Sequence, residues 1–434
     1  MLRRHCPPIV FLLTGFGWLV LASILGLAIL IGLVRSTPLP PWVRLVHAHA
    51  ALVGGMTQMI LGWLLAMMPP PHGTDLAPRD SHLTAFLAIN AGTIAMLAGF
   101  WLHHYQIVAA AGFLVIGACV WMARVAWTRS SRSVPSNWNR WYYAAAVLAL
   151  FGGLAFGETL AAGFMPQSYG YLRLAHIHLG LLGFITLVIV GGVFTMLPAV
   201  LNTSLSSPTL TRPALILMLL GVASLIGGFM NSSVPIEIAA GGLLLAGGTL
   251  YLSNLFRTWM ASAHSGTAAS DHLLIGAFFL LFMIILGILV ALNSLSGQTV
   301  MPFGALHLVA YTHMALIGFM LHTMMGALSH VIPITLAVSR VPSNKKRGPY
   351  LDRLTTIMDR WRAAQIGGLS LGTMGLGVLA SLTWNVPLNS VSVHTAAWIC
   401  FSLLLSSILL FSAKLAMVLG QQPEDTPHSH AHAH

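Results

Sequence analysis

The sequence predicts an all-α membrane protein with about twelve transmembrane helices arranged as three four-helix repeats. Composition is the first reason: 57% of the 434 residues are hydrophobic and 7% are charged, whereas soluble domains carry about 25% charged residues. The second reason is a series of long apolar runs, and the third is a motif that recurs three times. A water-soluble globule is thereby excluded. A disulfide framework is also excluded, because the 3 cysteines lie far apart in the chain.

Twelve apolar runs are long enough to cross a bilayer, which takes about 20 residues per helix. The N-terminal run is too long for a signal peptide and no small-residue cleavage site follows it, so we interpret it as an uncleaved first helix. The predicted spans are approximately 8–34, 42–68, 82–103, 106–127, 140–165, 171–197, 213–231, 235–256, 272–294, 303–332, 364–384 and 391–418.

The positions of Lys and Arg predict the orientation, because cations in short loops are retained on the cytoplasmic side. With the N-terminus in the cytoplasm, only Arg35, Arg44 and Arg173 of the 20 cationic residues lie outside. The net charge of +11 therefore has a topological explanation and requires no nucleic-acid partner. We expect a multi-pass protein of the bacterial plasma (inner) membrane with both termini cytoplasmic.

A long-period repeat divides the chain. The motif H-x2-L-x-G-x7-G-x6-P begins at His49, His178 and His313, on the second, sixth and tenth predicted helices. The intervals of 129 and 135 residues correspond to about four helices each. The predicted units are about 1–128, 129–260 and 261–420 of a single membrane domain, followed by a polar, His-rich tail over 421–434. The motif glycines either let helices approach closely or make room for a flat cofactor.

The histidine of this motif is doubled in the first two units. RLVHAH contains His47 and His49, RLAHIH contains His176 and His178, and the third unit has Tyr311 in the earlier position. We call the earlier position of each pair the first slot and the later one the second slot. Residues two apart on a helix point about 200° away from each other. Each H-x-H helix can therefore offer one imidazole to each of two neighbouring bundles.

Seven histidines fall in the first turns of outside-to-inside helices, within about 15 Å of the outer surface. A lone intramembrane His is more often a packing residue, but ionisable groups in a membrane are costly and tend to mark function. The layer therefore predicts a metal or cofactor site, with Glu158 at the same level in a catalytic proton role or a metal role. The seven are His47, His49, His176, His178, His307, His313 and His394.

Further histidines lie outside this layer. His322, on the inner half of the tenth predicted helix, is an additional metal candidate beside His394. The alternating tail histidines either bind a metal at the surface or have no dedicated role. They are His428, His430, His432 and His434.

Twelve helices in three units, with His near the outer ends of the second, sixth and tenth, resemble subunit I of the heme-copper oxidase superfamily. RLVHAH is similar to the Arg-x-x-His of the cbb-type oxidases and nitric oxide reductases, in which this His binds a low-spin heme. LRLAHIHLGLLGFITLVIVGGVFTMLP resembles the HAHLxLLGF...LP signature of oxidase-like proteins. The heme- and copper-containing NnrS family shows a comparable H-A-H. The resemblance implies an oxidase-subunit-I-like fold.

The same resemblance implies one or two hemes, and copper as well. His47 or His49 would pair with His313 as axial ligands of a low-spin heme, and His307 would lie nearest to a second heme iron. His176 or His178 would match the copper ligand of the sixth helix. The seventh predicted helix, TRPALILMLLGVASLIGGFM, lacks the His pair that supplies the other copper ligands in oxidases. The resemblance therefore implies heme binding more strongly than an oxygen-reducing site.

We expect a heme-binding membrane protein for electron transfer or for redox chemistry of nitric oxide or oxygen, which makes an oxidoreductase one candidate class. A cytochrome or a quinol would be the electron donor, and lipid and respiratory subunits would be partners. Two alternatives remain open. One is a copper- or zinc-handling or proton-coupled transporter that uses the His layer without heme. The other is a non-catalytic subunit of a respiratory complex.

Overall fold

Twelve helices in the computed structural model are long and apolar enough to cross a membrane, which confirms the predicted all-α membrane fold. The structure describes residues 7–67, 80–133, 139–263, 266–295, 305–382 and 390–423. In chain order the helices are Pro8–Val34; Trp42–His49 with Ala50–Thr57 and Gln58–Met67; Asp80–Trp101; Tyr105–Ser133; Asn139–Ala161; Tyr169–His178 with Leu179–Thr186 and Leu187–Val200; Thr211–Met230; Val234–Ala261; Ala268–Ser294; Ala305–His313 with Met314–Leu321 and His322–Arg340; Arg362–Leu382; and Val391–Gly420.

The second, sixth and tenth helices form the centre of the bundle. In their most apolar stretches 78%, 78% and 83% of residues are buried, against 17% to 44% in the other nine helices that can span the membrane among the described residues. In each unit the first helix packs on the second and the third packs on the fourth. The fourth helix contacts the fifth, the eighth contacts the ninth, and the twelfth returns to the first. The three units therefore close into a ring around the three His-bearing helices.

All three central helices contain a π-helical segment in the same register. The segments Ala50–Thr57, Leu179–Thr186 and Met314–Leu321 each begin directly after the second-slot histidine. A π-helix hydrogen-bonds five residues back instead of four, so it rotates the helix that follows it, and such segments are frequent at functional sites. In the first two units a threonine hydroxyl donates to the carbonyl five residues earlier, from Thr57 to Leu52 and from Thr186 to Leu181.

The glycines of the repeated motif lie where the first helix of each unit crosses the second. A β-carbon on Gly54 would meet Trp18 at 2.7 Å, and one on Gly183 would meet Ala149 at 2.6 Å. In the third unit Gly318 faces Phe279 in the same way. Side chains of the neighbouring helix fill this space, so these glycines serve close helix approach.

We expect Gly62→Ala to lower the stability of the folded bundle by about 1–3 kcal/mol through overpacking. The added methyl group would lie 2.7 Å from the β-carbon of Phe11 and 3.1 Å from the carbonyl oxygen of Pro8, neither of which is the free end of a side chain. Gly17→Ala is the matched control, because nothing lies within 4 Å of its β-carbon position. Thermal unfolding in detergent measures both variants, and equal melting temperatures would contradict the close contact.

The segment 334–363, which connects the tenth and eleventh predicted spans and is rich in Lys and Arg, is largely helical. The tenth helix continues through Pro333 to Arg340, and a linker helix spans Asn344–Asp359. The linker helix buries Tyr350, Leu354 and Met358, which are spaced four apart and thus share one face. The Arg340 guanidinium donates to the Tyr350 hydroxyl at 3.1 Å and to the Leu419 carbonyl at 3.0 Å. This contact joins the ends of the tenth and twelfth helices.

Candidate functional site

Five of the predicted histidines have their Nδ1 atom fixed by a backbone carbonyl. A carbonyl oxygen only accepts, so Nδ1 must carry the proton and donate, which leaves a lone pair on Nε2. Metal-binding histidines are held in the same way, by a hydrogen bond from the nitrogen that does not bind the metal. The five bonds run from His47 to Ala22 at 2.8 Å, His49 to Leu45 at 2.9 Å, His176 to Gly153 at 2.8 Å, His178 to Leu174 at 2.8 Å and His313 to Val309 at 2.7 Å.

The carbonyl that accepts each of these hydrogen bonds depends on the slot of the histidine. The second-slot histidines donate to the carbonyl four residues earlier on their own helix. The first-slot histidines, His47 and His176, donate to a carbonyl on the first helix of their own unit. The two imidazoles of each H-x-H pair are therefore fixed on different faces of the helix.

A glycine of the first helix supports each first-slot side chain. A β-carbon on Gly26 would lie 2.7 Å from Cε1 of His47, and one on Gly157 would lie 2.9 Å from Cε1 of His176. Gly287 faces the ring of Tyr311 in the third unit, at 3.2 Å. The glycine and the carbonyl four residues before it, on Ala22 or Gly153, together hold the imidazole. Sequence reasoning missed this second glycine repeat, which lies outside the quoted motif.

The second slot of each unit corresponds to the first slot of the next, so the repeat predicts three corresponding interfaces between units. At the first interface the ring centres of His49 and His176 lie 6.3 Å apart with an interplanar angle of 18°. At the second interface His178 and Tyr311 lie 6.3 Å apart at 21°, with 3.4 Å between Nε2 and the hydroxyl oxygen. At the third, His47 lies against Gly26 of the first helix, and His313 lines a cavity together with Leu30 and Leu33 of the same helix.

The third interface differs from the other two in what covers the second-slot histidine. Phe100 packs on His49 with a ring-centre distance of 4.7 Å, and Phe229 packs on His178 at 4.8 Å. Beside His313 there is instead an apolar cavity of about 40 Å³, between the first, tenth, eleventh and twelfth helices. Its lining is Leu30, Leu33, Val34, Val309, Ala310, His313, Leu376, Leu379, Ala380, Val393, Ala397 and Phe401.

Several predicted site residues lie elsewhere. His394 donates from Nε2 to the Val34 carbonyl at 2.8 Å, so it joins the twelfth helix to the end of the first. Glu158 is half-buried and lies against Gly112 of the fourth helix. The side chain of His307 and the whole of the 424–434 tail lie outside the described residues. Among the described residues, no three His, Cys, Asp or Glu side chains form a metal-binding group.

His322 belongs to a second polar cluster, which lies in the half of the third unit next to the linker helix and is called the inner cluster below. His322, His272 of the ninth helix and Lys414 of the twelfth are fully buried, and Gln365 of the eleventh is 1% exposed. Nδ1 of His322 lies 2.9 Å from Nδ1 of His272. Nε2 of His272 lies 3.0 Å from the Gln365 amide nitrogen, and Nζ of Lys414 donates to the Gln365 carbonyl oxygen at 2.6 Å.

The hydrogen bonds in this cluster all run in one direction, with each group donating to the next from Lys414 towards His322. Lys414 can only donate, so it meets the amide oxygen of Gln365, and the amide nitrogen must then donate to His272. His272 in turn donates from Nδ1 to His322, whose Nε2 lies 3.2 Å from the Ser370 hydroxyl. Lys414 also donates to the Met358 carbonyl of the linker helix at 2.8 Å. At the sequence level Lys414 counted only as a cation of the inner side; its place within an apolar run was the signal for a buried role.

The first unit has a different residue at the repeat position of His322. Gln58 occupies the position in the repeat that His322 has in the third unit and Leu187 has in the second. It is fully buried, and neither its amide oxygen nor its amide nitrogen has a hydrogen-bond partner among the described residues. The inner cluster is therefore specific to the third unit.

Comparison of the chain with models of known protein families, and with curated proteins, finds no match.

Proposed function

We propose that this protein binds heme at the third unit interface, with His47 and His313 as the axial ligands of a low-spin iron. The observation that carries the proposal is that these two half-buried imidazoles both adjoin the first helix, each with Nδ1 bonded to a backbone carbonyl and Nε2 free to bind a metal. The structure favours His47 over His49 as the partner of His313, because His49 faces His176.

The surroundings of His313 suit an apolar macrocycle. The cavity beside it is lined by aliphatic side chains and Phe401, with His313 as its one ionisable residue. At about 40 Å³ the cavity is smaller than a porphyrin, so binding requires flexible side chains such as Leu33 and Leu379 to turn aside. Ala380, Ala310 and Ala397 leave little side-chain bulk to displace.

Bound heme would supply reversible one-electron transfer or a binding site for a diatomic gas. The protein's own groups set the conditions for this chemistry. The carbonyls of Ala22 and Val309 orient the imidazoles and raise their basicity, while the apolar wall keeps water from the iron. Gly26 keeps the ring of His47 against the first helix.

The second interface argues against a complete oxidase centre. Tyr311 occupies the first slot there and lies 3.4 Å from Nε2 of His178, so His178 already has a partner. The proposed activity is therefore electron transfer, or handling of nitric oxide or oxygen, in the plasma membrane of a bacterium with both termini cytoplasmic. A cytochrome or quinol would donate the electrons, and a respiratory complex is a suitable setting.

Proton-coupled transport without heme is the second candidate. The buried cluster of Lys414, Gln365, His272 and His322 favours it, because such chains of donors and acceptors can relay protons within a membrane. Elemental analysis separates the candidates: stoichiometric copper or zinc without iron would favour metal handling, and the absence of any metal would favour transport.

A reduced-minus-oxidised visible spectrum with a pyridine hemochrome assay tests the heme proposal directly. Protein from a heme-replete host is expected to show a Soret band and the sharp α band of a six-coordinate low-spin heme. Folded protein without a Soret band would overturn the proposal.

A further inference from the structure

The linker helix between the tenth and eleventh helices carries a row of cations. We propose that this row, formed by Lys346, Arg353 and Arg360, binds the headgroups of anionic phospholipids in the adjacent leaflet. The site lies apart from the heme proposed above and does not depend on it. It also goes beyond general contact with lipid, because it selects the headgroup by its charge.

The three cations share one face of the linker helix, and the last of them follows directly after the end of the helix. They are seven residues apart, and seven residues make nearly two helical turns, so the side chains leave the helix within about 20° of one another. Successive cations in the row are about 10 Å apart along the axis. Asp352 and Asp359 lie about 100° away around the helix, so the negative charges fall on another face.

The linker helix is held at the membrane surface. It follows a tenth helix that ends at Arg340 and precedes an eleventh helix that begins at Arg362. Tyr350, Leu354 and Met358 are buried, so the apolar face of the linker helix packs on the bundle. A short amphipathic helix between two spanning helices lies at the level of the lipid headgroups.

Aromatic rings orient two of the three cations. The guanidinium of Arg353 lies 5.9 Å from the ring centre of Tyr350, and that of Arg360 lies 4.4 Å from the ring centre of Trp361. A guanidinium stacked on a ring keeps N–H donors at its edge that can bind a phosphate. Lys346 and Arg360 are exposed, and Trp361 is 55% exposed, as is typical of tryptophan at the membrane interface.

The charge of the linker favours lipid over a small free anion. Residues 340–362 include seven Lys or Arg and two Asp, a net charge of +5. Clusters of four to eight cations beside a spanning helix are typical of sites for anionic lipid. One small anion cannot bridge cations about 10 Å apart, whereas neighbouring headgroups in a leaflet can each bind one of them.

The test measures how phosphatidylglycerol stabilises the purified full-length protein in mixed detergent micelles, with phosphatidylcholine as the neutral lipid. Thermal unfolding is followed through the reaction of the buried cysteines Cys119 and Cys400 with a thiol-reactive dye. A ligand that binds only the folded protein raises its melting temperature. Phosphatidylglycerol is therefore expected to raise it, and phosphatidylcholine and inorganic phosphate are not. The rise is expected to shrink at high salt, because exposed charges are then screened.

Two double variants locate the site. Lys346→Gln with Arg360→Gln is expected to raise the phosphatidylglycerol concentration that gives half of the effect by about tenfold or more. Arg140→Gln with Arg257→Gln is the matched control and is expected to leave that concentration unchanged. Both control residues are exposed, and Arg140 also lies over the ring of the following tryptophan, at 5.4 Å.

Equal stabilisation by the two lipids, or by inorganic phosphate and phosphatidylglycerol, would overturn the proposal. An equal loss in the two double variants would overturn it as well, because total charge and not the row would then decide. Lys346→Arg with Arg360→Lys keeps both charges and is expected to respond like the parent; a lost response would show a structural effect instead of lipid binding. None of these measurements involves heme, so their outcome is independent of the heme spectrum.

Discussion

His313→Ala is expected to lower the heme content of the purified protein at least tenfold and to remove the low-spin spectrum of any heme that remains. Loss of one axial imidazole leaves iron with a single strong ligand, and even partners of metal-bound histidines change metal affinity by about 10–100-fold. His178→Ala is the matched control. It also removes a second-slot histidine with a bond to its own helix, but at the second interface. Heme content is measured by pyridine hemochrome and expressed per chain.

His313→Met separates a ligand from a merely structural residue. A thioether can replace one imidazole, so this variant is expected to keep a six-coordinate heme with a higher reduction potential, since Met/His ligation raises the potential. A structural role for His313 would predict no such shift in a redox titration. A wild-type spectrum and potential in both the Ala and the Met variant would show that His313 is not the axial ligand.

Gln365→Leu is expected to destabilise the folded protein by about 1.5–3 kcal/mol, because a buried charged donor loses one of its hydrogen-bond acceptors. Lys414 would lose its hydrogen bond to Gln365 and keep only the Met358 carbonyl. His272 would lose the donor at its Nε2. Resistance to unfolding by denaturing detergent, followed by tryptophan fluorescence, measures the loss.

Gln58→Leu is the matched control and is expected to change stability in the opposite direction, by about 1–3 kcal/mol. Gln58 is equally buried, but both of its amide atoms are unpaired within the described part of the chain. Leucine already occupies the equivalent position of the second unit as Leu187. A loss of stability in this variant would show that Gln58 holds a water molecule or a ligand. Equal stability changes in the two variants would show that the hydrogen bonds of the inner cluster do not stabilise the fold.

The fold could be predicted from the sequence because few backbone structures are stable in lipid. An apolar run of about 20 residues must form a helix, since every backbone group has to bond within its own segment. The motif at His49, His178 and His313 also identified the second, sixth and tenth helices as related elements, and these are the three central helices of the structure. Residues at the same spacing on each helix lie at the same relative heights and rotations.

The contacts between individual side chains could not be predicted from the sequence. Whether His49 or His47 faces His313 depends on how the helices rotate, and packing decides this rotation. The glycines at Gly26, Gly157 and Gly287 could be recognised only once the first helices of the three units were aligned in space. Lys414 was counted only as a cation of the cytoplasmic side because its charge entered the topology argument, whereas the amide of Gln365 and the Met358 carbonyl hold it within the bundle.

The π-helical segments separate each central helix into two parts with different rotations. Each segment accommodates one residue more than an α-helix would in the same hydrogen-bonded turn, and each begins at the residue after the second-slot histidine. The two slots lie before the segment, and Gln58, Leu187 and His322 follow directly after it. Because the register is the same in all three units, the change of rotation between the slots and these later positions also occurs at the same place in each.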